Sequence, residues 1–379
     1  MNRKQFLILM LALLVMGGAG LALFWQDITA YRSTSGKIGA KLLPEFKLAD
    51  VARIELQDAR SKTTLVRKDT YWVVEERGGY PANFQDISDL LIKLVELKVV
   101  QSEVIGPSLL PRVGLAPVPP KPAADAEAGK EVGTLLTMKD GAGKALATLT
   151  LGKVVLKKDP GNPLPAAQDG VPAGRWVQVA GAPNVAVVSD PLAKAEADPS
   201  KWLDRAFIKA DRVKTLTVAG ESGVRWKVTR DQEWGQWKFA AGGGELNAGA
   251  AVAATNVLAK WEFADVLTAM PEATGKPLVV TAETFDRLTY TFTFTPVKNG
   301  QYAMATKIDG EPARTRTPEK DEKAEEKDKR DKDYVDALKL LEARLARERA
   351  QANWLYLMDA KSLGPLTLDR GDIVAPPKR

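Results

Sequence analysis

The 379-residue sequence contains neither cysteine nor histidine. Without cysteine the chain can form no disulfide, no thiolate metal site and no thiol nucleophile. Without histidine it lacks the commonest general base near neutral pH, the commonest transition-metal ligand and every triad that needs imidazole. We therefore predict no catalytic, cofactor-binding or metal-binding residues, and we expect a protein that is not an enzyme.

Neither sign of charge dominates, because 54 basic residues and 48 acidic residues give a net charge of only +6. The excess is scattered and forms no dense basic patch with interleaved aromatic residues, so nucleic acid is not an expected partner. A hydrophobic fraction of 45% and a charged fraction of 27% are ordinary for globular proteins. Most of the chain should therefore fold around a core.

One long hydrophobic run is present, from Phe6 to Trp25, with no charged residue in it. Its twenty or so residues match the length that crosses a lipid bilayer as a helix. Trp25 closes the run, where an aromatic ring can lie at the membrane interface. We predict an N-terminal transmembrane anchor within residues 1–30. The alternative is a cleaved signal peptide, but the run is long for one and no clean cleavage site follows.

The basic residues around this run bear on its orientation. Arg3 and Lys4 precede it and favour a cytoplasmic N-terminus, with the body on the other side of the membrane. Arg32, Lys37 and Lys41 follow it and partly offset that bias. We expect a single-pass membrane protein with its body outside the cytoplasm.

Residues 44–210 form the first predicted unit. Alternating apolar and polar residues predict strands, and apolar residues that recur at helical spacing from Asp86 to Leu97 predict an amphipathic helix. The predicted strands are 51–56, 63–68, 71–75, 134–138, 145–151, 175–179 and 185–188. The predicted apolar face of the helix consists of Ile87, Leu90, Leu91, Leu94 and Leu97.

Residues 211–379 repeat this pattern as a second, diverged unit. A helix over 250–263 should bury Val252, Val257, Leu258 and Trp261. The predicted strands are 213–218, 224–229, 237–240, 287–294, 302–307 and 354–358. We pair Trp72 with Trp237, and Trp176 with Trp354, as equivalent positions. The predicted fold class is α+β: the anchor, then two similar units of antiparallel strands with one amphipathic helix each.

Three segments depart from the repeat. The Pro/Ala-rich stretch 107–130 predicts an extended surface linker, and 157–172 predicts a long hairpin loop. Charged residues over 319–333 lead into a predicted helix that reaches residue 350. Its apolar stripe consists of Tyr334, Leu338, Leu341 and Leu345. We favour docking of this stripe on its own domain, and the alternative is a coiled-coil arm for a partner.

Several strings invite a functional interpretation, but a structural one is simpler. Asp198 and Pro199 predict a capped helix start, with Trp202 buried behind it. Ser200 and Lys201 are neighbours in sequence, so the lysine does not face the serine as a catalytic dyad requires. The carboxylates of Glu75 and Glu76 should face opposite sides of a strand. Gly242, Gly243 and Gly244 lack the lysine and hydroxyl residues of a phosphate loop.

Four segments of the first unit resemble the domain-of-unknown-function family 4340. They are the strand and helix stretch that starts at Ile54, the Gly114-Leu115-Ala116-Pro117 segment, Leu151-Gly152-Lys153, and Arg175-Trp176-Val177 with 187–191. The resemblance covers about residues 50–210. It implies a bacterial protein with one membrane helix, encoded beside ABC-type gliding or export transporter subunits. The family has no established catalytic residues to carry over.

Together with the resemblance, these observations favour a non-enzymatic accessory protein of the bacterial inner membrane, a single-pass protein with its body in the periplasm. It would work with an ABC-type permease or another envelope protein. The alternative is a module that binds cell-wall glycan or peptide through exposed tryptophans. A hydrolase that uses carboxylates alone is the least favoured of the three.

Overall fold

The computed structural model describes residues 38–123, 131–158, 170–318 and 324–376. The predicted anchor at 6–25 lies outside these ranges. Inside them, no helix combines the length and the apolar character that crossing a bilayer requires. The fold is mixed α+β with two antiparallel sheets, and the chain divides into two compact units between Asp204 and Arg205.

In its described residues the first unit consists of a nine-stranded sheet and one α-helix, α1 (Phe84–Glu96). Its strands are β1 (Arg53–Gln57), β2 (Lys62–Lys68), β3 (Tyr71–Val74), β4 (Tyr80–Pro81), β5 (Val99–Glu103), β6 (Thr134–Lys139), β7 (Ala145–Lys157), β8 (Val171–Val179) and β9 (Val185–Val188). They lie in the order β4-β3-β2-β1-β6-β7-β8-β9-β5. In β1, Ile54 and Leu56 are buried while their neighbours are half-buried, as the alternating sequence predicts.

The second unit is an eight-stranded sheet with two α-helices, α2 (Ala248–Lys260) and α3 (Ala324–Gln351). Its strands are β10 (Val213–Gly220), β11 (Gly223–Thr229), β12 (Lys238–Phe239), β13 (Asp265–Leu267), β14 (Leu278–Thr284), β15 (Thr289–Val297), β16 (Gln301–Asp309) and β17 (Leu355–Asp359). They lie in the order β12-β11-β10-β14-β15-β16-β17-β13.

The two strand orders correspond. In each unit the first strand lies between the second strand and the first strand of the later meander. In each unit the strand that follows the first helix crosses to the far edge and pairs with the last strand, as β5 does with β9 and β13 with β17. Trp72 on β3 and Trp237 beside β12 occupy equivalent places, in agreement with the sequence-based pairing.

The pairing of Trp176 with Trp354 is wrong. Trp176 lies on β8, the next-to-last strand of its sheet meander, whereas Trp354 directly precedes β17, the last strand. Three strands of the structure, β5, β13 and β14, were also not predicted from the sequence. Because β14 was missing from the predicted strands of the second unit, the later strands of that unit could only be matched to the wrong strands of the first unit.

Equivalent asparagines begin the first helix of each unit. The Asn83 side chain accepts hydrogen bonds from the backbone N–H groups of Gln85 and Asp86, at 3.0 and 3.3 Å. Asn247 does the same for Gly249 and Ala250, at 3.1 and 3.4 Å. These N-caps satisfy otherwise unpaired donors, so both helices start two residues before their predicted positions.

The predicted apolar face of α2 is partly wrong. Val252 is exposed, and the buried positions of the helix are Ala251, Ala254 and Leu258. The helix ends at Lys260, and the buried Trp261 forms its C-cap. Two of these buried positions are alanines, and buried alanines give a weaker signal in a sequence than a run of leucines.

The stretch 107–130 is less extended than predicted. Pro107–Val113 forms a 3-10 helix that ends at Gly114, and Leu115 is buried. Residues 124–130 lie outside the described ranges, as does the tip of the hairpin between Lys157 and Val171, whose flanking strands are paired. Glu75 and Glu76 lie in a 3-10 turn rather than in a strand.

Candidate functional site

The segments that carry the family resemblance meet in the first unit. A Cβ on Gly152 would collide with the carbonyl oxygen of Val113 and press on the Leu115 side chain, so only glycine fits there. Arg175 Nε donates to the Gly152 carbonyl at 2.8 Å, and Nη1 donates to Leu192 at 3.2 Å. Burial lowers the pKa of Arg175 to about 10. These contacts give the motif a packing role.

The other motif-like residues of the first unit are also engaged within the fold. Asp198 accepts a hydrogen bond from the Ser200 N–H at 2.9 Å and caps the turn that buries Trp202, as predicted. Glu75 forms a two-point pair with Arg53, at 2.7 and 2.9 Å. Glu76 accepts the Thr64 N–H at 2.7 Å.

The triple glycine of the second unit is a loop, as predicted, and it is held by an arginine. Arg370 donates to the carbonyl groups of Ala241 and Gly243, at 3.1 and 2.9 Å. A phosphate loop offers N–H groups to its ligand, whereas this loop offers carbonyls that the arginine already uses.

Two clefts in the second unit stand out as candidate binding sites. The first, which we call the α3 cleft, has a volume of about 650 Å³ and lies beside helix α3. Apolar side chains that include Phe285, Tyr334, Leu338 and Leu341 line it, with Asp211, Arg212, Asp286 and Arg344 among them. A cleft of this size is within the range that binds ligands or peptide side chains.

Helix α3 docks through its C-terminal part. Leu345 is 3% exposed, whereas Leu340 is 75% exposed and Val335 is also exposed. Tyr334, Leu338 and Leu341 are half-buried, and the Tyr334 hydroxyl donates to the Ala313 carbonyl at 2.6 Å. The predicted stripe therefore faces its own unit, as we favoured. Val335 and Leu340, two apolar residues of the helix that precede Leu345, remain exposed.

A buried carboxylate anchors this docking. Glu348 is 1% exposed and accepts hydrogen bonds from the Tyr290 hydroxyl at 2.9 Å and from the Lys209 N–H at 3.3 Å. Arg344 lies 3.5 Å from Glu348 and donates to Asp211 at 2.7 Å. Burial raises the pKa of Glu348 and also that of Tyr290. These contacts pair each charged group with one of opposite sign, although Arg344 Nε makes no hydrogen bond. The arrangement is typical of a structural ion-pair network.

Arg212 separates the α3 cleft from a second cleft. Its backbone φ of 51° lies in the left-handed region, a conformation that costs free energy for any residue other than glycine. Residues in such strained conformations cluster at functional sites. Its guanidinium pairs with Glu233 at 2.8 Å and with Asp286. The hydrogen bond from Arg212 lowers the pKa of Glu233, so this carboxylate stays ionised.

The second cleft, which we call the tryptophan cleft, has a volume of about 450 Å³. Trp234 and Trp237 lie on it, on the connection from β11 to β12, and Val252, Thr255 and Asn256 face them from α2. Sequence reasoning assigned most tryptophans to the core, and it missed that Trp234 is 93% exposed. The polar neighbours of Trp234 (Asp231, Gln232 and Glu233) were the available signal.

The described part of the chain contains no group of three or more acidic residues placed to bind an ion. The two clefts instead offer apolar surface, aromatic rings and fixed charges of both signs, which suit non-covalent binding.

Comparisons with known proteins returned no matching family model, no matching curated protein and no matching solved structure. The resemblance to the domain-of-unknown-function family 4340 therefore stays a prediction.

Proposed function

We propose that this protein is a non-catalytic accessory protein of the bacterial cell envelope. Residues 6–25 anchor it in the inner membrane as a single-pass protein, and two similar units form its periplasmic body. The body binds a polypeptide partner, such as an ABC-type permease or another envelope protein. The observation that carries this proposal is helix α3 with its cleft.

Helix α3 is an addition to the repeated fold. In the first unit β8 and β9 are joined by the short turn 180–184, whereas the equivalent β16 and β17 are separated by residues 310–354, which contain α3. The addition exposes Leu340 and Val335 and creates the α3 cleft. Apolar residues beside paired charges are typical of the anchor points at which proteins bind each other.

The occupant that suits this cleft is an amphipathic segment. Its apolar side chains would contact Leu338 and Leu341, and its charged groups would meet Arg212 and Asp286 at the rim. Recognition of a helix in an apolar groove works in this way. The network of Glu348, Tyr290 and Arg344 holds α3 in place for such a partner and supports a binding role over acid–base chemistry.

Membrane topology is the first test of the proposal. Reporters active only in the periplasm or only in the cytoplasm are fused after Arg379, and the size of the product shows whether residues 6–25 are retained. We expect periplasmic activity and an uncleaved chain. A cytoplasmic body would remove the envelope proposal together with its periplasmic partner.

Site-specific cross-linking tests the partner. Because the chain has no cysteine, Leu340→Cys gives a unique attachment point for a photo-reactive group in intact membranes. The matched control is Val224→Cys, which is 63% exposed on β11 of the same unit. We expect Leu340, but not Val224, to yield one recurrent integral membrane protein. Equal products from both positions, or none, would contradict the proposal.

A further inference from the structure

Trp234 contributes almost nothing to the core of the fold. It lies on the connection between β11 and β12, where the Gly235 N–H donates to the Gln232 carbonyl at 2.9 Å and closes a tight turn. The ring is 93% exposed. Leaving so large an apolar ring in water is unfavourable, and exposed apolar surface of this kind marks binding sites.

The neighbouring Trp237 is held by an arginine. The Arg230 guanidinium lies 4.8 Å from the centre of the Trp237 ring and 5.6 Å from that of Phe285. Its Nε donates to the Val213 carbonyl at 2.8 Å, which fixes the guanidinium against the end of β10. Such stacking orients the indole of Trp237 and places a positive charge at the cleft.

The polar groups of the tryptophan cleft are likewise pre-oriented. Both oxygens of Glu233 are held by Arg212, at 2.9 and 2.8 Å. Asn256 is exposed on α2, and the Thr255 hydroxyl beside it is turned back to the Ala251 carbonyl at 3.1 Å. The cleft thus combines aromatic rings with a planar carboxylate, a planar amide and a guanidinium.

From this combination we infer that the tryptophan cleft binds a glycan chain built of pyranose rings. The C–H face of a pyranose is apolar and stacks on an indole, while its hydroxyl groups donate to carboxylates and exchange hydrogen bonds with amides. A peptide anchor residue needs an enclosed apolar pocket, but the aliphatic side chains of this cleft are only Val213, Val252 and small alanines. The site adjoins the α3 cleft, with which it shares Asp211 and Arg212, but Trp234, Trp237 and Asn256 line the tryptophan cleft alone. The inference does not depend on the partner proposed above.

The test uses the full chain in detergent micelles and a soluble tetramer of β-1,4-linked N-acetylglucosamine as the probe. Binding is followed by calorimetry and by tryptophan fluorescence. We expect saturable binding that Trp234→Ala weakens at least about tenfold, while Trp234→Phe retains most of the affinity. The control is Tyr71→Ala, which removes another exposed aromatic ring, in the first unit, and should leave the affinity unchanged.

Three outcomes would overturn the inference. One is the absence of saturable binding by the unaltered chain. Another is an affinity of Trp234→Ala within twofold of the unaltered chain, with both proteins showing the same thermal unfolding. The third is that the protein binds the peptide part of peptidoglycan, freed of its sugars, and does not bind the sugar tetramer. Loss of cross-linking at Leu340 would leave this result untouched, so the two proposals fail separately.

Discussion

Apart from the extra edge strand β4 of the first sheet, the two units share one strand order, but they fill it with different side chains. In the first unit, α1 presents Ile87, Leu90, Leu91 and Leu94 to the sheet. In the second, α2 presents only Ala251, Ala254 and Leu258. The helix of the second unit therefore supplies much less volume to the core, and packing at native density requires that other residues supply it.

Aromatic rings make up this volume in the second unit. Trp261 meets the Phe292 ring edge-on at 4.6 Å, and Phe207 meets the Tyr356 ring at 4.7 Å. The rings of this cluster belong to Phe207, Trp261, Phe263, Tyr290, Phe292, Phe294 and Tyr356. The comparison shows that one strand order can be formed around buried residues of very different sizes.

The largest expected effect comes from two buried residues that cap the C-terminal ends of the first helices, Leu97 after α1 and Trp261 after α2. Trp261→Ala should lower the free energy of unfolding by about 3–5 kcal/mol, because it removes a buried ring and leaves a cavity. It also leaves the Ile208 carbonyl without its hydrogen bond from the indole, which is 2.8 Å long. The equivalent Leu97→Ala in the first unit should cost about 2–4 kcal/mol.

Limited proteolysis at increasing urea, with the fragments mapped by mass, shows which unit opens in each variant. Trp261→Ala should expose cleavage sites in residues 205–379 first, and Leu97→Ala in the first unit. Equal opening of both units in either variant would contradict the view that each has its own core.

Helix α3 offers a matched pair with the next largest effect. Leu345→Ala should destabilise the second unit by about 2–4 kcal/mol, since the side chain is buried. Leu340→Ala should change its stability by no more than about 0.5 kcal/mol, because that side chain is exposed. Urea unfolding followed by circular dichroism measures both. A large loss from Leu340→Ala would mean that the exposed part of the helix is also docked.

Glu348 should make the second unit sensitive to pH. Burial raises its pKa in the folded state above the ordinary value of 4.5, so the folded state binds the proton more tightly than the unfolded state. Its contribution to stability is complete below pH 4.5 and is lost as the pH rises through the folded-state pKa.

Glu348→Gln keeps the shape and removes this titration. The stability of the variant relative to the unaltered protein should therefore increase as the pH rises from about 4 through the raised pKa, and then level off. Thermal unfolding across a pH series measures this difference. The control is Glu75→Gln in the first unit, whose exposed pair with Arg53 should matter little. If the stability difference between the two proteins did not change with pH, the pKa of Glu348 would not be raised in the folded state.

The smallest expected effect concerns the two helix caps. Asn83→Ala and Asn247→Ala should each cost about 1 kcal/mol, since each leaves two backbone N–H groups unpaired. The loss at Asn83 should be slightly larger, because its amide also donates to Asp86 at 2.7 Å. Urea midpoints compare the two variants. A large loss at only one of them would show that the equivalent caps have diverged in role.

The elements with strong local patterns could be predicted from the sequence. The strands β1, β2 and β11 and the leucine face of α1 followed from alternation and helical spacing. The short strands β5 and β13 could not, because only their pairing with β9 and β17 at the far edge makes them strands. Strand β14 did carry a signal, as Leu278, Val280 and Ala282 alternate with more exposed residues.

The candidate sites were largely invisible to sequence reasoning. The hydrogen bond between Tyr290 and Glu348 joins residues of β15 and α3 that are remote in the sequence. The stripe of α3 was predicted, but the cleft beside it depends on Phe285 and Pro312, which come from other segments. Sequence reasoning also missed the exposure of Trp234, because a tryptophan between strands is more often buried. The residue lies in the tight turn that ends at Gly235.

The pairing of β5 with β9 also has a consequence for biosynthesis. Val99 pairs with Val188, and in the second unit Asp265 pairs with Leu357, so each edge strand must wait for the last strand of its unit. A chain that emerges from the ribosome N-terminus first cannot complete either sheet until nearly the whole unit is released. Each unit should therefore finish folding late in synthesis, through slow pairing of residues that are distant in the sequence.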